Sequence, residues 1–266
     1  MLSFLFWNIH RKPLMDRVAR VIRRFDVHVA MLAECRFNVS DLLGDLSHEN
    51  DQPWHRVQSG FEKVVVLSRL SRESIVDAGV CFGDLGIFKV ILDGKLRSLV
   101  AVAHLESQLY KTKEELGSYL GSYADFIVSR EDDLGCRDSV LVGDLNLDPY
   151  DFGMANSCGL NAVMTMRSAR RLVRKTKFGE KRFFYNPMWA HFGDRSNGPA
   201  GTYYRSQLPE PWRIVDQVLV RPSLNNRLKS VTIVDSDGTA PLVSKNGLPS
   251  KKGASDHLPL HFALDL

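Results

Sequence analysis

The stretch Ser-Val-Leu-Val-Gly-Asp-Leu-Asn, residues 139–146, places an acid and an amide directly after a short apolar run. Val140 to Val142 has the length and β-branched content of a buried strand, and the following glycine marks its end. Asp144 and Asn146 therefore follow a predicted strand. One acid in such a position is more often a capping or turn residue, so its meaning depends on the rest of the chain.

The same pattern of short apolar runs recurs along the sequence. The eight further predicted strands are Leu2 to Trp7, Val27 to Ala33, Val64 to Leu67, Ile87 to Leu92, Leu99 to Leu105, Ile214 to Val220, Val231 to Val234 and Leu258 to Leu264. Helical periodicity separates some of them, over Pro13 to Phe25 and over Thr112 to Arg130. This alternation predicts an α/β fold. Because no repeat or Pro- or Ser-rich linker divides the chain, we expect one domain over residues 1–266.

Polar side chains follow or interrupt several of these runs. Beside Asp144 and Asn146, they are Asn8, Glu34, His104, Asp216, Asp256 and His257. Asp216 lies within an apolar run, where a carboxylate costs several kcal/mol unless it is paired or bound to a metal. Together these residues offer hard oxygen ligands and two imidazoles but no thiol, which suits Mg²⁺ or Mn²⁺. A divalent ion among carboxylates and histidines is suited to phosphate-ester hydrolysis.

Six short motifs carry a more specific resemblance. They are Trp7-Asn8-Ile9, Leu32-Ala33-Glu34, Ala103-His104-Leu105, Gly143-Asp144-Leu145-Asn146, Ile214-Val215-Asp216-Gln217-Val218-Leu219 and Ser255-Asp256-His257-Leu258-Pro259. In this order they resemble the endonuclease/exonuclease/phosphatase superfamily, which includes deoxyribonuclease I, abasic endonucleases, sphingomyelinases and inositol polyphosphate phosphatases. The resemblance implies a four-layered sandwich, with two mixed β-sheets packed face to face and helices outside.

The resemblance also implies a metal site. Glu34 would be the principal ligand of Mg²⁺, or of Mn²⁺, and Asn8 and Asp256 would complete or support the metal shell. His10 stands where abasic endonucleases commonly have an aspartate, and Ala103-His104-Leu105 replaces their tyrosine-bearing segment. Abasic-site repair is therefore not the favoured activity.

Five further residues would carry the chemistry that the resemblance implies. Asp144 would orient or deprotonate the attacking water, and Asn146 would hold that geometry and contact phosphate. His257 would stabilise the transition state, with Asp216 fixing its tautomer and keeping it cationic. His104 would contact phosphate or protonate the leaving group.

Positive charge is concentrated in one segment. Residues 167–182 contain eight basic residues and one acid, whereas the whole chain has 35 Lys and Arg against 31 Asp and Glu. Within the segment Arg167, Arg170, Arg171 and Arg174 recur at helical spacing, which predicts a basic helix face. A solvated helix face is the plain interpretation of such a pattern, but beside a phosphate-cleaving centre we expect it to bind the substrate backbone. Arg36 could contact phosphate or pair with a neighbouring carboxylate.

These observations predict a metal-dependent nuclease that hydrolyses phosphodiester bonds of DNA or RNA by in-line attack of water. Two alternatives stay open: a phosphatase or phosphodiesterase acting on a small phosphorylated molecule or lipid headgroup, and an inactive nucleic-acid-binding module. Four scattered cysteines without a CxxC pair predict free thiols in a reducing compartment. Because there is no basic region before the first apolar run and no long apolar stretch, we expect a cytoplasmic protein that does not bind membranes.

Overall fold

The computed structural model describes residues 1–48, 53–108, 110–177, 179–193 and 198–266. The helices of these residues are α1 (Met15–Arg24), α2 (Val39–Ser47), α3 (Lys113–Asp133), α4 (Phe152–Ala155) and α5 (Met166–Ala169), with 3₁₀ turns at Pro187–His191 and Pro222–Leu224. No described helix is both long enough and apolar enough to cross a lipid bilayer.

Two mixed sheets form the two inner layers. The six-stranded sheet has the order β16-β17-β1-β2-β4-β3, with β1 (Leu2–Asn8), β2 (Val29–Ala33), β3 (His55–Arg56), β4 (Val64–Ser68), β16 (Leu228–Ile233) and β17 (Leu260–Leu264). The seven-stranded sheet has the order β5-β6-β7-β8-β15-β12-β9, with β5 (Ile75–Phe82), β6 (Leu85–Leu92), β7 (Lys95–His104), β8 (Ser139–Asp144), β9 (Ala162–Val163), β12 (Phe184–Tyr185) and β15 (Asp216–Val220). Two small hairpins lie outside the sheets: β10 (Val173–Thr176) with β11 (Gly179–Arg182), and β13 (Tyr203–Tyr204) with β14 (Trp212–Arg213).

Alternation of side chains along the strands builds the layers. In β7, Leu99 and Ala101 belong to the apolar cluster that includes α3, whereas Val100 and Val102 belong to the cluster between the sheets. On the other side of the molecule, apolar residues of α1 and α2 pack with the six-stranded sheet. The predicted four-layered α/β sandwich is therefore confirmed, and each of the nine predicted apolar runs overlaps a strand.

This alternation also fixes the direction of the polar residues at the strand ends. Asp144 continues the inward series of Val140 and Val142, and Asp216 begins the inward series of Val218 and Val220. Both carboxylates therefore point between the sheets, at one end of the sandwich.

The basic segment folds differently from the predicted helix. Helix α5 ends at Ala169, Leu172 has a left-handed backbone (φ 64°), and the chain continues as the β10–β11 hairpin. The spacing of the arginines imitates a helical period, but Leu172 breaks the helix within it. The structure also adds α2 and β5, which the apolar pattern did not indicate.

Candidate active site

The polar strand ends meet because the strands are in register. Asp216 of β15 pairs directly with Asp144 of β8, and Asp144 pairs on its other side with His104 of β7. In the other sheet, Asn8 at the end of β1 pairs with Ala33. Glu34 follows Ala33 at once, so one end of both sheets presents the predicted residues to a shared space.

A buried carboxylate–imidazole pair lies at the centre of this site. Nδ1 of His257 is 2.8 Å from Oδ2 of Asp216 and 3.8 Å from Oδ2 of Asp144. Asp216 is fully buried. Because Nδ1 is engaged by Asp216, Nε2 is the ring nitrogen left for a substrate.

The two carboxylates control the charge of His257. Burial alone lowers the pKa of this imidazole, but attraction by Asp216 and Asp144 outweighs burial and raises the pKa to about 10. Burial in turn raises the pKa of Asp216. Both shifts keep one proton on the pair at neutral pH, and the raised pKa of His257 favours its imidazolium form.

Hydrogen bonds fix both oxygens of Asp144. Its Oδ2 accepts from Nδ2 of Asn8 at 3.0 Å, and its Oδ1 accepts from the backbone N–H of Asn146 at 3.1 Å. Nδ2 of Asn146 donates to the carbonyl of Leu105 at 2.8 Å, and Asn146 has a left-handed backbone (φ 51°). These contacts hold the Asp144 carboxylate in one orientation.

The two other acids are more accessible. Glu34 has one oxygen 3.1 Å from Nε of Arg11 and the other 3.7 Å from Nε2 of His104. Asp256 lies 3.6 Å from Nδ1 of His10. The side chains of Glu34 and Asp256 are 20% and 13% exposed, so solvent reaches both.

All eight predicted catalytic and metal residues except Asp216 line one cavity of about 600 Å³. Five basic residues share its wall: Arg11, Lys63, Arg205, Arg213 and Lys251. Tyr203 of β13 and Lys251, in the segment before β17, also line it. The ring of Tyr203 packs on His257 with centroids 4.7 Å apart.

The donor set of this cavity fits a hard divalent cation. The carboxylates of Glu34, Asp144 and Asp256 and the amide of Asn8 supply oxygen atoms, as Mg²⁺ and Mn²⁺ prefer. Ligand atoms of Asp144, Asp216 and His257 also lie within 4.8 Å of one another. Because His257 holds a proton and Asp216 is buried behind it, the accessible oxygens of Glu34 and Asp256 suit a cation better than this trio does.

Three residues that support the site were not found from the sequence. Arg213 donates from Nε to Oδ2 of the buried Asp148, and the side chain of Gln108 bonds both Arg213 and the carbonyl of Asn146. Oγ1 of Thr202 accepts from the backbone N–H groups of Val215 and Asp216, at 3.1 Å each. The sequence does show an arginine, Arg213, directly before the apolar run that contains Asp216. Its partner Asp148, however, lies 65 residues away in the chain.

The five predicted substrate-binding arginines are not part of the cavity. Among the described residues that line it, Arg36, Arg167, Arg170, Arg171 and Arg174 do not occur. Arg36 is exposed on the segment after Glu34. The other four lie near β12, whose Tyr185 pairs with Val220 at the end of β15 opposite Asp216.

Comparison with known proteins identifies the family. The model of the Endonuclease/Exonuclease/phosphatase family matches residues 5–257. The chain belongs to this family. Its members are hydrolases that act on phosphoester bonds. A search of the curated proteins finds no significant match.

Solved structures agree with this assignment in fold. A truncated TDP2 from Caenorhabditis elegans superposes with a TM-score of 0.59 at 16% identity, covering 98% of this chain and 97% of its own. An AP endonuclease from Archaeoglobus fulgidus gives 0.54 at 15% identity with full coverage of both chains. A 3′ phosphatase from Neisseria, NExo, bound to its product DNA hairpin, gives 0.55 at 17% identity, also with full coverage. At these identities the likeness shows the fold.

Proposed function

We propose that the protein is a metal-dependent nuclease that hydrolyses phosphodiester bonds of DNA or RNA. The observation that carries the proposal is the buried Asp216–His257 pair, which holds an imidazolium beside Asp144 at the wall of a cavity rich in oxygen ligands. The basic residues of the same wall favour a polyanionic substrate.

In this proposal the residues divide into holding and reacting groups. Glu34, Asn8 and Asp256 would hold Mg²⁺ or Mn²⁺. A bound divalent ion polarises the phosphoryl oxygen and neutralises charge in the transition state. All three residues belong to the six-stranded sheet, where Asn8 ends β1, Glu34 follows β2 and Asp256 precedes β17.

The reacting groups act by position and charge. Asp144, with both oxygens fixed by hydrogen bonds, would orient a water and accept its proton during in-line attack on phosphorus. His257, charged and held through Nδ1, would donate from Nε2 to a non-bridging oxygen, where negative charge accumulates. His104 and Asn146 would contact the phosphate from β7 and from the loop after β8.

The test is cleavage of supercoiled plasmid, end-labelled linear DNA, single-stranded DNA and RNA, with Mg²⁺ or Mn²⁺ and with EDTA. We expect metal-dependent cutting of at least one polymer, and loss of at least about 100-fold of its rate in Asp144→Asn. Asp265→Asn, which changes an exposed acid next to the last strand, is the matched control. Cutting of none of the polymers, together with phosphate release from small phosphoesters, would replace the nuclease by a phosphatase.

A further inference from the structure

The four arginines outside the cavity form a surface of their own. We define the basic surface as Arg167, Arg170, Arg171 and Arg174, which lie on α5, on the turn after it and at the start of the β10–β11 hairpin. The first three are exposed, and Arg174 is half-buried. In the described part of the chain no ion pair joins any of the four to a carboxylate.

The neighbouring basic residues behave differently. Lys181 pairs with Asp125 at 2.6 Å, and Arg182 pairs with Glu131 and Asp132 of α3 at 2.8 and 2.5 Å. These pairs attach the hairpin to α3. Of the eight basic residues in 167–182, Lys181 and Arg182 are therefore neutralised by α3, whereas the four arginines of the basic surface form no ion pair with a carboxylate among the described residues.

Two of the arginines are also held in place. The guanidinium groups of Arg171 and Arg174 lie 6.0 and 5.3 Å from the ring centre of Phe183, a buried residue. Stacking on an aromatic ring restrains a guanidinium while leaving its N–H groups free to donate. Restrained donors lose less conformational entropy when they bind phosphate oxygens.

The surface lies outside the catalytic cavity, because none of its four arginines is among the described residues that line the cavity. Helix α5 follows β9, which is two strands away from β15 in the order β15-β12-β9. At about 4.8 Å between neighbouring strands, β9 is offset sideways from β15 by roughly 10 Å. A duplex that reaches from one to the other extends over roughly three base pairs at 3.4 Å each.

We infer that the basic surface is an exosite for the sugar–phosphate backbone of a long nucleic acid, separate from the catalytic cavity. The inference rests on the proposed nuclease function and specifies its substrate as one long enough to reach both places. Arginines without a carboxylate partner offer N–H donors to phosphate oxygens. The exosite would contribute affinity that does not depend on base sequence.

The test compares Arg167→Ala/Arg170→Ala with the control pair Arg72→Ala/Lys245→Ala. Both pairs remove two exposed positive charges, and the control residues lie outside the basic surface and the cavity lining. The Arg171 and Arg174 contacts with Phe183 stay intact in both. Steady-state cleavage is measured on a dinucleotide and on a 24-base-pair duplex, or on its single-stranded or RNA counterpart if that is cut.

We expect the KM for the long substrate to rise by about 10- to 50-fold in the exosite variant, with kcat unchanged, and both constants for the dinucleotide to stay within about twofold. For duplex binding without divalent metal, the slope of log K against log salt concentration should become less steep by about 1.8, which corresponds to two lost phosphate contacts. The control pair should change neither quantity.

The exosite would be overturned if the control pair raised the KM for the long substrate as much as the exosite variant does. It would also be overturned if the exosite variant raised the KM for the short and the long substrate equally. Unchanged duplex binding combined with lost binding to phosphatidylserine vesicles would overturn it as well, and would indicate a lipid surface instead. If no nucleic acid is cut, the proposed function fails, and the binding measurement still decides the exosite by itself.

Discussion

Asp216 and Asp144 lie directly opposite each other on neighbouring antiparallel strands, and His257 reaches both from the other sheet. Two carboxylates side by side on one sheet face repel each other. Here His257 lies between them, and attraction by both carboxylates raises the pKa of its imidazole. The two carboxylates therefore have different surroundings. Asp216 is buried and contacts His257, whereas Asp144 faces the cavity.

The first prediction concerns Asp216→Asn. The substitution keeps the shape of the side chain but removes the charge that keeps His257 protonated, so we expect kcat to fall by at least about 100-fold. Circular dichroism should remain that of the folded protein. Asp237→Asn is the control, because Asp237 is also a buried acid with a basic partner, Arg20, but lies outside the cavity lining. A kcat for Asp216→Asn within threefold of the wild type would contradict the assigned role of the pair.

Thr202 provides a second prediction. Thr202→Val leaves the backbone N–H groups of Val215 and Asp216 without their acceptor in a buried position, and should lower the free energy of unfolding by about 1–3 kcal/mol in urea. Thr202→Ser restores the hydroxyl and should recover most of the loss. Equal stability of the valine and serine variants would show that the hydroxyl is unimportant.

The close approach of two strands at Gly143 gives a third prediction. A Cβ at this position would stand 1.9 Å from the carbonyl oxygen of Ala103, so Gly143→Ala should destabilise the protein by about 3 kcal/mol or more and displace Asp144. Gly44→Ala, in α2 with open space around it, should instead stabilise by about 0.5–1 kcal/mol. Thermal unfolding of both variants measures the contrast, and changes of the same sign would refute it.

A fourth prediction tests the pairing of Arg213 with Asp148. Both side chains are buried, so Arg213→Met should cost about 3–5 kcal/mol because it leaves the Asp148 carboxylate without its main partner. Adding Asp148→Asn removes the orphaned charge and should restore part of the stability. The double-mutant cycle, measured by urea unfolding, should give a coupling of at least about 1 kcal/mol. Additive effects of the two substitutions would exclude a direct interaction.

His261 makes stability depend on pH. Ser3 donates its hydroxyl hydrogen to the carbonyl of Phe25, so Nε2 of His261 donates to Ser3 at 2.8 Å, and Nδ1 has no hydrogen-bond partner among the described residues. Burial lowers the pKa of His261 to about 4. Because the unfolded chain takes up this proton near pH 6.5 and the folded protein resists it until about pH 4, the contribution is complete above pH 6.5 and is lost as the pH falls toward 4.

The measurement is urea unfolding at pH 7.5 and pH 4.5 for the wild type and His261→Gln. We expect the variant to lose about 2 kcal/mol less than the wild type over this interval, since glutamine keeps a donor but does not titrate. Other histidines with lowered pKa values are common to both proteins and cancel in the difference. If the wild type and the variant lost the same free energy of unfolding between pH 7.5 and pH 4.5, the acid sensitivity would be assigned to those histidines.

The fold was largely predictable because a strand buried on both faces leaves a continuous apolar run, and β1, β2 and β8 are of this kind. Strand β5 was missed because Asp77 and Gly79 interrupt its pattern, as an edge strand tolerates. The prediction of a helix through Arg174 was wrong. Arg167, Arg170 and Arg171 are spaced as on a helix, but the helix itself ends at Ala169.

The site was predictable where residues follow strands, since register then brings them together. Pairings across long stretches of chain leave no local signal, which is why the contacts of Arg213 with Asp148 and of Thr202 with Val215 emerged only from the structure. The catalytic and metal-binding roles of the clustered residues stay predictions until the variants are measured.

The first and last motifs of the chain close the site together. The hydroxyl of Ser255 donates to the carbonyl of Asn8 at 2.7 Å, and the indole N–H of Trp7 donates to the carbonyl of His257 at 2.9 Å. Because these partners are separated by almost the whole chain, a product truncated ahead of residue 255 lacks both contacts and also the Asp216–His257 pair.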